Sequence, residues 1–479
     1  MFRGRRPVRP TGPWAVDRYA DRPMTDPLRF DPGSYDAFRV VGRDYDADTR
    51  TITLRYALDD RVEFVETIAF ETPPGPDAGP GRSTGAGFER ALLHLHVAAG
   101  TSYYKTAAPR QVVVEGESLS PPELDVYHRL YDDGLREFAV TNGLPVPRPV
   151  AVTAGRGVAG HPLAPEGLLR PGLLVPIGGG KDSMALIESV RDLGPRLFCV
   201  NPHPLILELA EEAGLELLVV RRRLDPGLAA LNAAGALNGH VPITAIVSLI
   251  AAVGAFVHGY DTVAMAVERS ASEETVTVDG VAVNHQYSKS REFELLLAGL
   301  LQQTVAPELT YGSALRPYSE LAISRAFAGL TRYHGTFCSC NSAFRQGAGP
   351  ADRWCGHCPK CRFVGLMLAP FLEPDELTAI IGTDMFADAG QVTGFAALMS
   401  DVDKPFECVG ERRESAAALR LLASRPAWRD SAVVAALADR ASSLVDDVDL
   451  DALLAPDVTL SFADPEVAAA VAALLAVHR

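Results

Sequence analysis

The stretch GLLVPIGGGKDSMALIESV, residues 172–190, decides the fold expected for the central part of the chain. Its first six residues are apolar enough for a buried strand, and its last residues have the spacing of a helix. Gly178, Gly179 and Gly180 lie between them. A strand, a glycine loop and a helix start are typical of phosphate sites, because backbone amides and the helix dipole both attract anions.

Two common phosphate-binding motifs do not fit this loop. A Walker A loop needs Ser or Thr after its GK pair, where Asp182 stands, and its first glycine is replaced by Val175. A dinucleotide fingerprint ends in glycine or alanine, where Ser183 stands, and needs an acid after the second strand, where Asn201 stands. The loop therefore indicates phosphate chemistry of a third kind.

Outward from this stretch, strands and helices alternate through residues 166–300. Apolar, strand-like runs at 172–177, 195–202, 215–222 and 261–268 are separated by helical runs. Strands this apolar indicate a parallel sheet covered on both faces, and right-handed crossovers make it doubly wound. We therefore predict an α/β domain that binds its ligand at the carboxyl ends of the strands.

The flanking segments differ in composition. Residues 1–24 are basic and polar and are interpreted as a disordered extension. Residues 25–165 are interpreted as an N-terminal α+β domain that binds the substrate, with strands at 38–70. Residues 301–372 contain a cysteine-rich, metal-binding segment. Residues 373–479 are rich in Ala and Leu with helical periodicity and are predicted to be a helical C-terminal region.

Composition argues against some classes of function. The net charge of −15 disfavours nucleic-acid binding, which needs a basic face. No apolar run reaches the ~20 residues that span a bilayer, and the N-terminus has no apolar export segment, so we expect a cytoplasmic protein. Only five of the 45 basic residues are lysines, and four of these lie in the stretches TSYYK, GGGKDS, NHQYSKS and CPKC. This pattern indicates sites that need a compact ammonium group.

Five of the seven cysteines lie between residues 338 and 361. Cys355, Cys358 and Cys361 form a CxxCxxC element, and one of Cys338 or Cys340 completes a tetrahedral Zn²⁺ site; we assign Cys338. A metal site with four thiolate ligands has no open position, so its role would be structural. An Fe–S cluster uses the same ligands, but nothing in the sequence favours it. Cys340 is then left as a candidate reactive thiol.

The loop GGGKDS resembles the SGGxDS loop of the PP-loop ATP pyrophosphatases, with Gly178 in place of the usual serine. The resemblance implies an adenine-nucleotide α-hydrolase-like domain that cuts ATP between its α- and β-phosphates and transfers AMP to a substrate oxygen. The implied ATP site comprises Gly178, Gly179, Gly180, Lys181, Asp182, Ser183 and Asn201. Asp182 is also expected to hold Mg²⁺.

Further stretches narrow the resemblance. HLHVAAGTSYYK, NGHVPITAIVS, VNHQYSKS, CSCN with WCGHCPKC, and KPFECVGE occur in this order. Over about residues 30–420 they resemble the family of UDP-N-acetylmuramoyl-L-alanyl-L-glutamate epimerases. The resemblance implies ATP- and Mg²⁺-dependent inversion of the terminal L-glutamate through an acyl-adenylate, in peptidoglycan precursor synthesis. It also implies a partner ligase that adds this L-glutamate to the UDP-sugar peptide.

Inversion at Cα needs one or two bases within reach of the proton. The candidate catalytic residues are Lys181, Asp182, Glu268, His285, Lys289, Cys340 and Cys408. The candidate substrate contacts are Ser102, Tyr103, Tyr104, Lys105, Arg269, Asn284 and Gln286, with the arginine run 221–223 as a further possibility. One alternative function is a carboxylate-adenylating synthase of the 7-cyano-7-deazaguanine type, which leaves the N-terminal domain and NHQYSKS unexplained. Another is a zinc-stabilised nucleotide-binding scaffold without turnover.

Overall fold

The structure is a computed structural model of the 479-residue chain. It describes residues 30–73, 85–154, 169–344, 353–400, 404–445 and 449–476. The predicted N-terminal extension, residues 1–24, lies outside these ranges, as does the predicted domain boundary at residue 165. Within the described ranges, no helix is both long enough and apolar enough to cross a membrane.

Twelve strands are present in the described residues: β1 (Ala37–Asp46), β2 (Thr51–Leu58), β3 (Val62–Phe70), β4 (Gln111–Val114), β5 (Ala151–Ala154), β6 (Arg170–Pro176), β7 (Arg196–Val200), β8 (Leu217–Arg223), β9 (Tyr260–Met265), β10 (Val276–Val278), β11 (Val281–Val283) and β12 (Thr310–Ser313). The helices of the first two thirds are α1 (Ala86–Ala99), α2 (Thr101–Tyr104), α3 (Pro121–Tyr131), α4 (Arg136–Thr141), α5 (Lys181–Ser189), α6 (Pro204–Ala213), α7 (Gly227–Ala233), α8 (Ile243–His258), α9 (Arg291–Thr304) and α10 (Glu320–Ala328). The remaining helices are α11 (Pro359–Leu368), α12 (Pro374–Ile381), α13 (Val392–Ala397), α14 (Arg412–Ser424), α15 (Ala432–Leu444), α16 (Leu450–Leu454) and α17 (Pro465–Leu475).

Five strands form a parallel block in the order β12–β9–β6–β7–β8. Successive side chains of β6 point to opposite faces, so Leu174 joins one core cluster and Val175 the other. Both residues are fully buried. The predicted α/β class, with a largely parallel sheet buried on both faces, is confirmed. Because the chain passes from β8 back across β6 to β9, the topological switch point lies between β6 and β9.

The sheet continues past β8 as one mixed sheet of ten strands, in the order β8–β3–β2–β1–β4–β5. The pairings β3–β8, β2–β3 and β1–β2 are antiparallel, and the others are parallel. The predicted boundary at residue 165 therefore divides the chain but not the sheet. The physical reason is that β3 covers the edge of β8, whose backbone groups would otherwise be unpaired. Whether residues 25–165 fold independently stays a prediction.

Helical layers cover both faces of this sheet. On one face α1 packs against α8, and on the other α5 and α10 pack against each other and against α17. The chain after residue 373 is helical, from α12 to α17, as its periodicity predicted. Helix α14 packs on α11 and α15, which connects the C-terminal helices to the layer that contains α5.

Candidate active site

The glycine loop lies at the switch point, directly after β6. Gly180 is the N-cap of α5, which begins at Lys181. The Gly178 amide donates to Ser183 Oγ over 3.0 Å, which closes the loop onto the first turn. Within the described residues, the amides of Gly179 and Gly180 have no hydrogen-bond acceptor. Two free donors at a helix N-terminus fit an anion.

At two of the three glycines, a close neighbour leaves no room for a side chain. The Cys338 amide donates to the Gly179 carbonyl over 2.7 Å, so the cysteine-rich segment lies directly on the loop. A Cβ at Gly179 would lie 2.5 Å from the Cys338 carbonyl oxygen, and one at Gly180 would lie 2.7 Å from Ser339 Oγ. The triple glycine thus serves packing as well as phosphate approach.

Three helix N-termini meet at this loop. Helices α5 and α10 are joined by an ion pair between Lys181 and Glu320, and α10 is joined to α14 because Glu414 accepts the Leu321 amide over 3.0 Å. Each helix dipole contributes a positive partial charge at its N-terminus. Burial raises the pKa of Glu320 to about 7 and that of Glu414 to about 8.

Lys181 does not extend into solvent as a phosphate-binding lysine would. Its side chain is 2% exposed, and its ammonium lies between the carboxylates of Asp182, at 2.5 Å, and Glu320. Burial lowers the pKa of Lys181, but these two carboxylates outweigh burial and raise it above its ordinary value. Lys181 therefore orients Asp182 and Glu320 around the start of α5.

A second cluster of ionisable groups surrounds Cys408, in the segment before α14. Lys289 Nζ lies 3.4 Å from Cys408 Sγ, and His285 is near enough to the sulfur to affect the pKa of the thiol. Burial alone would raise the pKa of the Cys408 thiol, but Lys289 and His285 lower it to about 6. Burial lowers the pKa of Lys289, and the charges of Cys408 and Glu268 raise it above its ordinary value. At neutral pH the cluster is a thiolate flanked by cations.

His285 connects this thiol to a carboxylate from α4. Its Nδ1 lies 2.6 Å from Glu137 Oε2, and the two side chains are 13% and 11% exposed. Burial lowers the pKa of His285, but hydrogen bonds to Cys408 and Glu137 raise it to about 9. His240 packs against His285 with ring centroids 4.5 Å apart and the ring planes tilted by 43°. A separation of 2.6 Å is a direct, charge-assisted hydrogen bond, so we assign no metal between Glu137 and His285.

A buried arginine holds the loops of Glu268 and Lys289 together. The Arg316 guanidinium, 1% exposed, donates to the carbonyl of Glu268 over 2.7 Å and to that of Lys289 over 2.6 Å. It also pairs with Glu294 over 2.6 Å, which neutralises its charge. The Asp182 carboxylate, at the start of α5, also contributes to the raised pKa of Lys289. The glycine loop and the Cys408 cluster therefore form one site.

Two predicted substrate contacts shape a turn beside this site. Asn284 donates to the Ala271 carbonyl over 3.1 Å and accepts the Gln286 amide over 2.7 Å. Gln286 Oε1 accepts from Lys289 Nζ over 3.0 Å. Arg269 begins a 3₁₀ turn directly after Glu268 and remains partly exposed. Of the three predicted contacts, Asn284 and Gln286 thus already position protein groups.

The stretch TSYYK lies mostly in the core. Tyr103 and Tyr104 are 0% and 1% exposed, and Ser102 is 4% exposed. Tyr104 donates to the Pro109 carbonyl over 2.9 Å, and Tyr103 accepts the Asp225 amide over 3.0 Å. These three residues, predicted as substrate contacts, are packed inside the protein because the aromatic rings fill the space between α1 and the strands.

Lys105 and Asn201 also bond to protein groups. Lys105 donates to Asn238 Oδ1 over 2.6 Å and to the Gly239 carbonyl over 3.2 Å. Asn201, predicted for the ATP site, follows β7 at the carboxyl end of the sheet. Its side chain exchanges hydrogen bonds of 2.8 and 2.9 Å with the backbone of Arg222, so it fixes the end of β8. Arg222 itself pairs with buried Glu66 of β3.

Four cysteine thiols form a metal-binding geometry. The sulfurs of Cys340, Cys355, Cys358 and Cys361 all lie within 4.8 Å of one another, with separations of 3.4, 3.7 and 4.0 Å between three pairs. Zn–S bonds of about 2.3 Å in a tetrahedron place sulfurs about 3.8 Å apart, so this donor set fits Zn²⁺.

Cys340, rather than Cys338, completes this group. The Cys338 amide bonds the glycine loop, and its thiol donates to the Arg353 carbonyl over 2.6 Å. With Cys338 held in this way, Cys340 faces the CxxCxxC element. Cys340, named above as a candidate reactive thiol, is therefore placed in the metal-binding group, and Cys338 outside it.

Sequence reasoning missed four members of the site: Glu137, His240, Arg316 and Glu320. His240 lies in the quoted stretch NGHVPITAIVS, so a signal for it was present. Arg316 and Glu320 are 1% and 3% exposed, and a buried charge is recognisable only once the packing is known. Glu137 belongs to a helical segment without a motif.

Comparison with known proteins places this site in a family. The MurL N-terminal domain matches residues 29–314 and the MurL C-terminal domain matches residues 336–451. The UDP-N-acetyl-alpha-D-muramoyl-L-alanyl-L-glutamate epimerase of Salinispora tropica is 43% identical over 412 residues, covering 84% of this chain and 88% of that protein. The protein of the same name from Xanthomonas oryzae pv. oryzae is 42% identical over 413 residues, covering 85% and 90%. No solved structure gives a significant match. Identity at this level over most of both chains shows that this chain belongs to the family of UDP-N-acetyl-alpha-D-muramoyl-L-alanyl-L-glutamate epimerases.

Proposed function

We propose that the chain inverts the terminal L-glutamate of UDP-N-acetylmuramoyl-L-alanyl-L-glutamate to D-glutamate after ATP has adenylated its α-carboxylate. The observation that carries the proposal is the single site formed by the glycine loop and the Cys408 cluster. Lys289 lies 3.4 Å from Cys408, and the carboxylate of Asp182 at the start of α5 helps to raise the pKa of Lys289. An anion-binding loop and proton-transfer groups in one site suit adenylation followed by chemistry at the adjacent carbon.

Adenylation explains why an epimerase would use this fold. The proton beside a carboxylate is hard to remove, because the product adds charge to an existing anion. An acyl-adenylate is uncharged at its carbonyl, so the enolate forms more easily, and nearby cations stabilise it. Only the α-carboxylate activates the proton that has to move. Hydrolysis of the acyl group makes the sequence irreversible, and preferential hydrolysis of the D form would set the direction.

The nucleotide would be held by the start of α5. The amides of Gly179 and Gly180 would bind phosphate oxygens, aided by the converging N-termini of α5, α10 and α14. Mg²⁺, when bound at Asp182, would neutralise phosphate charge. Lys181 would orient Asp182 through the contact described above. Pyrophosphate and AMP are the expected products of ATP.

The substrate would approach from the side of β11 and the loop after β9. Arg269 is partly exposed there and is suited to an anionic group. We propose Lys105 as a second cation for the nucleotide sugar, with Tyr103 and Tyr104 packed behind the wall of this binding region.

A partner ligase would supply the L-glutamate terminus in the cytoplasm. The group of four cysteines would hold a structural Zn²⁺, which fixes the cysteine-rich segment on the glycine loop.

The test incubates the purified full-length chain with UDP-N-acetylmuramoyl-L-alanyl-L-glutamate, ATP and Mg²⁺, followed by chiral analysis of the released glutamate. We expect D-glutamate, one AMP and one pyrophosphate per inversion, and deuterium at Cα when the solvent is D₂O. The Asp182→Asn variant is expected to lose at least tenfold in turnover. Asp192→Asn is the matched control, because Asp192 is exposed in the 3₁₀ turn that follows the C-terminal end of α5.

Two results would contradict the proposal. Inversion without nucleotide would show that adenylation plays no part in the reaction. A product that forms only when ammonia is added, with no inversion, would support the carboxylate-adenylating synthase of the 7-cyano-7-deazaguanine type instead.

A further inference from the structure

Three side chains from distant parts of the chain lie next to one another in the site. Glu137 of α4 bonds His285 Nδ1 at 2.6 Å, and His285 is near enough to Cys408 for the two groups to shift each other's pKa. Lys289 Nζ lies 3.4 Å from the same sulfur. A carboxylate that orients an imidazole, which in turn bonds a thiol, is the geometry of an activated nucleophile.

The environment of the sulfur favours attack on carbon over removal of a proton. Two cations next to the thiolate lower its basicity, as the pKa of about 6 shows. A weakly basic group is a poor acceptor for a proton on carbon. The nucleophilicity of a thiolate falls less steeply than its basicity, with a Brønsted slope of about 0.4–0.5. A thiolate in this environment is therefore better suited to acyl transfer.

We propose that Glu137, His285 and Cys408 form a catalytic triad in which Cys408 takes the acyl group from AMP as a thioester, on which the α-proton is then exchanged. The inference rests on the proposed adenylation. The Cys408 thiolate attacks the acyl carbon, a C–S bond forms, and the C–O bond to AMP breaks with its electron pair, so AMP leaves as the anion. Once Cys408 is acylated, the His285 imidazolium no longer faces a thiolate and releases its proton to solvent. The α-proton passes to the neutral imidazole and from there to solvent, and a solvent proton is added to the opposite face of Cα. Water then attacks the carbonyl, neutral His285 takes the proton of that water, and the C–S bond breaks to return the thiolate beside the imidazolium. No oxidant or reductant is consumed.

This step gives the neighbouring groups defined roles. A thioester resists water better than an acyl-adenylate and still acidifies the adjacent C–H, so the acyl group survives long enough for exchange. Acylation also removes the negative charge that faced Lys289. Its ammonium is then free to stabilise the enolate oxygen that forms in the same place. Glu137 acts as a positioning residue, because it contacts His285 and not the sulfur.

The experiment measures the intact mass of the enzyme. Full-length protein is mixed with substrate, ATP and Mg²⁺ and quenched with acid within milliseconds to seconds. We expect a mass increase equal to the substrate minus one water, removed by neutral hydroxylamine and absent without ATP. Cys408→Ala is expected to show no adduct and no α-deuterium exchange while it still forms AMP. Cys408→Ser is expected to accumulate an adduct that resists neutral hydroxylamine, because an oxyester turns over slowly.

The outcomes separate the triad from the proposed function. AMP formation without an adduct on either wild type or Cys408→Ser overturns the triad and leaves adenylation intact. Retained deuterium exchange in Cys408→Ala overturns it as well. Absence of AMP from every variant refutes adenylation itself. For Glu137→Gln we expect at least tenfold slower adduct formation and a raised pH midpoint of Cys408 alkylation. The half-exposed Glu292→Gln is the control for that variant and should change neither.

Discussion

The Lys289→Met substitution tests the charge balance of the site. Lys289 is the strongest of the contacts that lower the pKa of Cys408, against burial, from an ordinary 9.0 to about 6. At pH 7 a thiol of pKa 6 is roughly 90% thiolate, and one of pKa 9 is roughly 1%. His285 remains in the variant, so we expect the midpoint to move toward 9.0 and the thiolate fraction at pH 7 to fall by about 10- to 90-fold.

The assay is the rate of alkylation of Cys408 by iodoacetamide as a function of pH, read by peptide mass spectrometry without substrate. The pH midpoint is the readout rather than the absolute rate, because a thiolate of higher pKa is intrinsically more nucleophilic. Lys404→Met is the matched control. It removes a buried ammonium from the same segment, but one that pairs with Glu273. A wild-type midpoint near pH 9, or equal midpoints in the two variants, would refute the reasoning.

Three further predictions concern the metal group, the glycine loop and a buried acid. Cys340→Ser is expected to lose bound zinc, measured per chain by elemental mass spectrometry, whereas Cys338→Ser retains it; the reverse result would restore Cys338 as the ligand. Gly179→Ala should cost about 1–3 kcal/mol of unfolding free energy, since its Cβ would meet backbone at 2.5 Å, whereas Gly178→Ala, with 3.4 Å of room, should unfold like wild type in urea. Burial raises the pKa of Glu414 to about 8, so the folded state keeps a proton that the unfolded state releases above pH 4.5, and stability falls as pH rises through this window. Glu414→Gln should therefore melt higher than wild type at pH 8 and alike at pH 5; parallel melting curves would contradict the assignment.

Local sequence was sufficient for the central fold. Apolar runs separated by helical periodicity predicted the parallel strands, and GGGKDS predicted a loop before a helix at the carboxyl edge of the sheet. The lysine pattern was informative too: Lys181, Lys289 and Lys360 all act on the acids or the thiol of one site. These features depend on residues close together in the chain, where period and spacing fix geometry.

The sequence did not reveal that the first strands belong to the same sheet. Pairing of β3 with β8 joins residues about 150 positions apart. The reason for it is that the backbone groups at the edge of β8 would otherwise be unpaired, which the sequence does not show. The stretch TSYYK was predicted to contact the substrate, and Tyr103 and Tyr104 within it are buried. Aromatic residues with a polar tip suit both places, so composition could not separate them.

By itself, the sequence determined which residue types were available: a glycine loop, a CxxCxxC element, and thiol, imidazole and ammonium groups in separate stretches. Only the tertiary structure decided their combinations. It placed Cys340 rather than Cys338 with the other cysteines, and it brought Glu137, His285 and Cys408 together from three distant segments. The physical reason is that acidity and nucleophilicity depend on burial and on neighbours a few ångströms away, and long-range packing alone sets those neighbours.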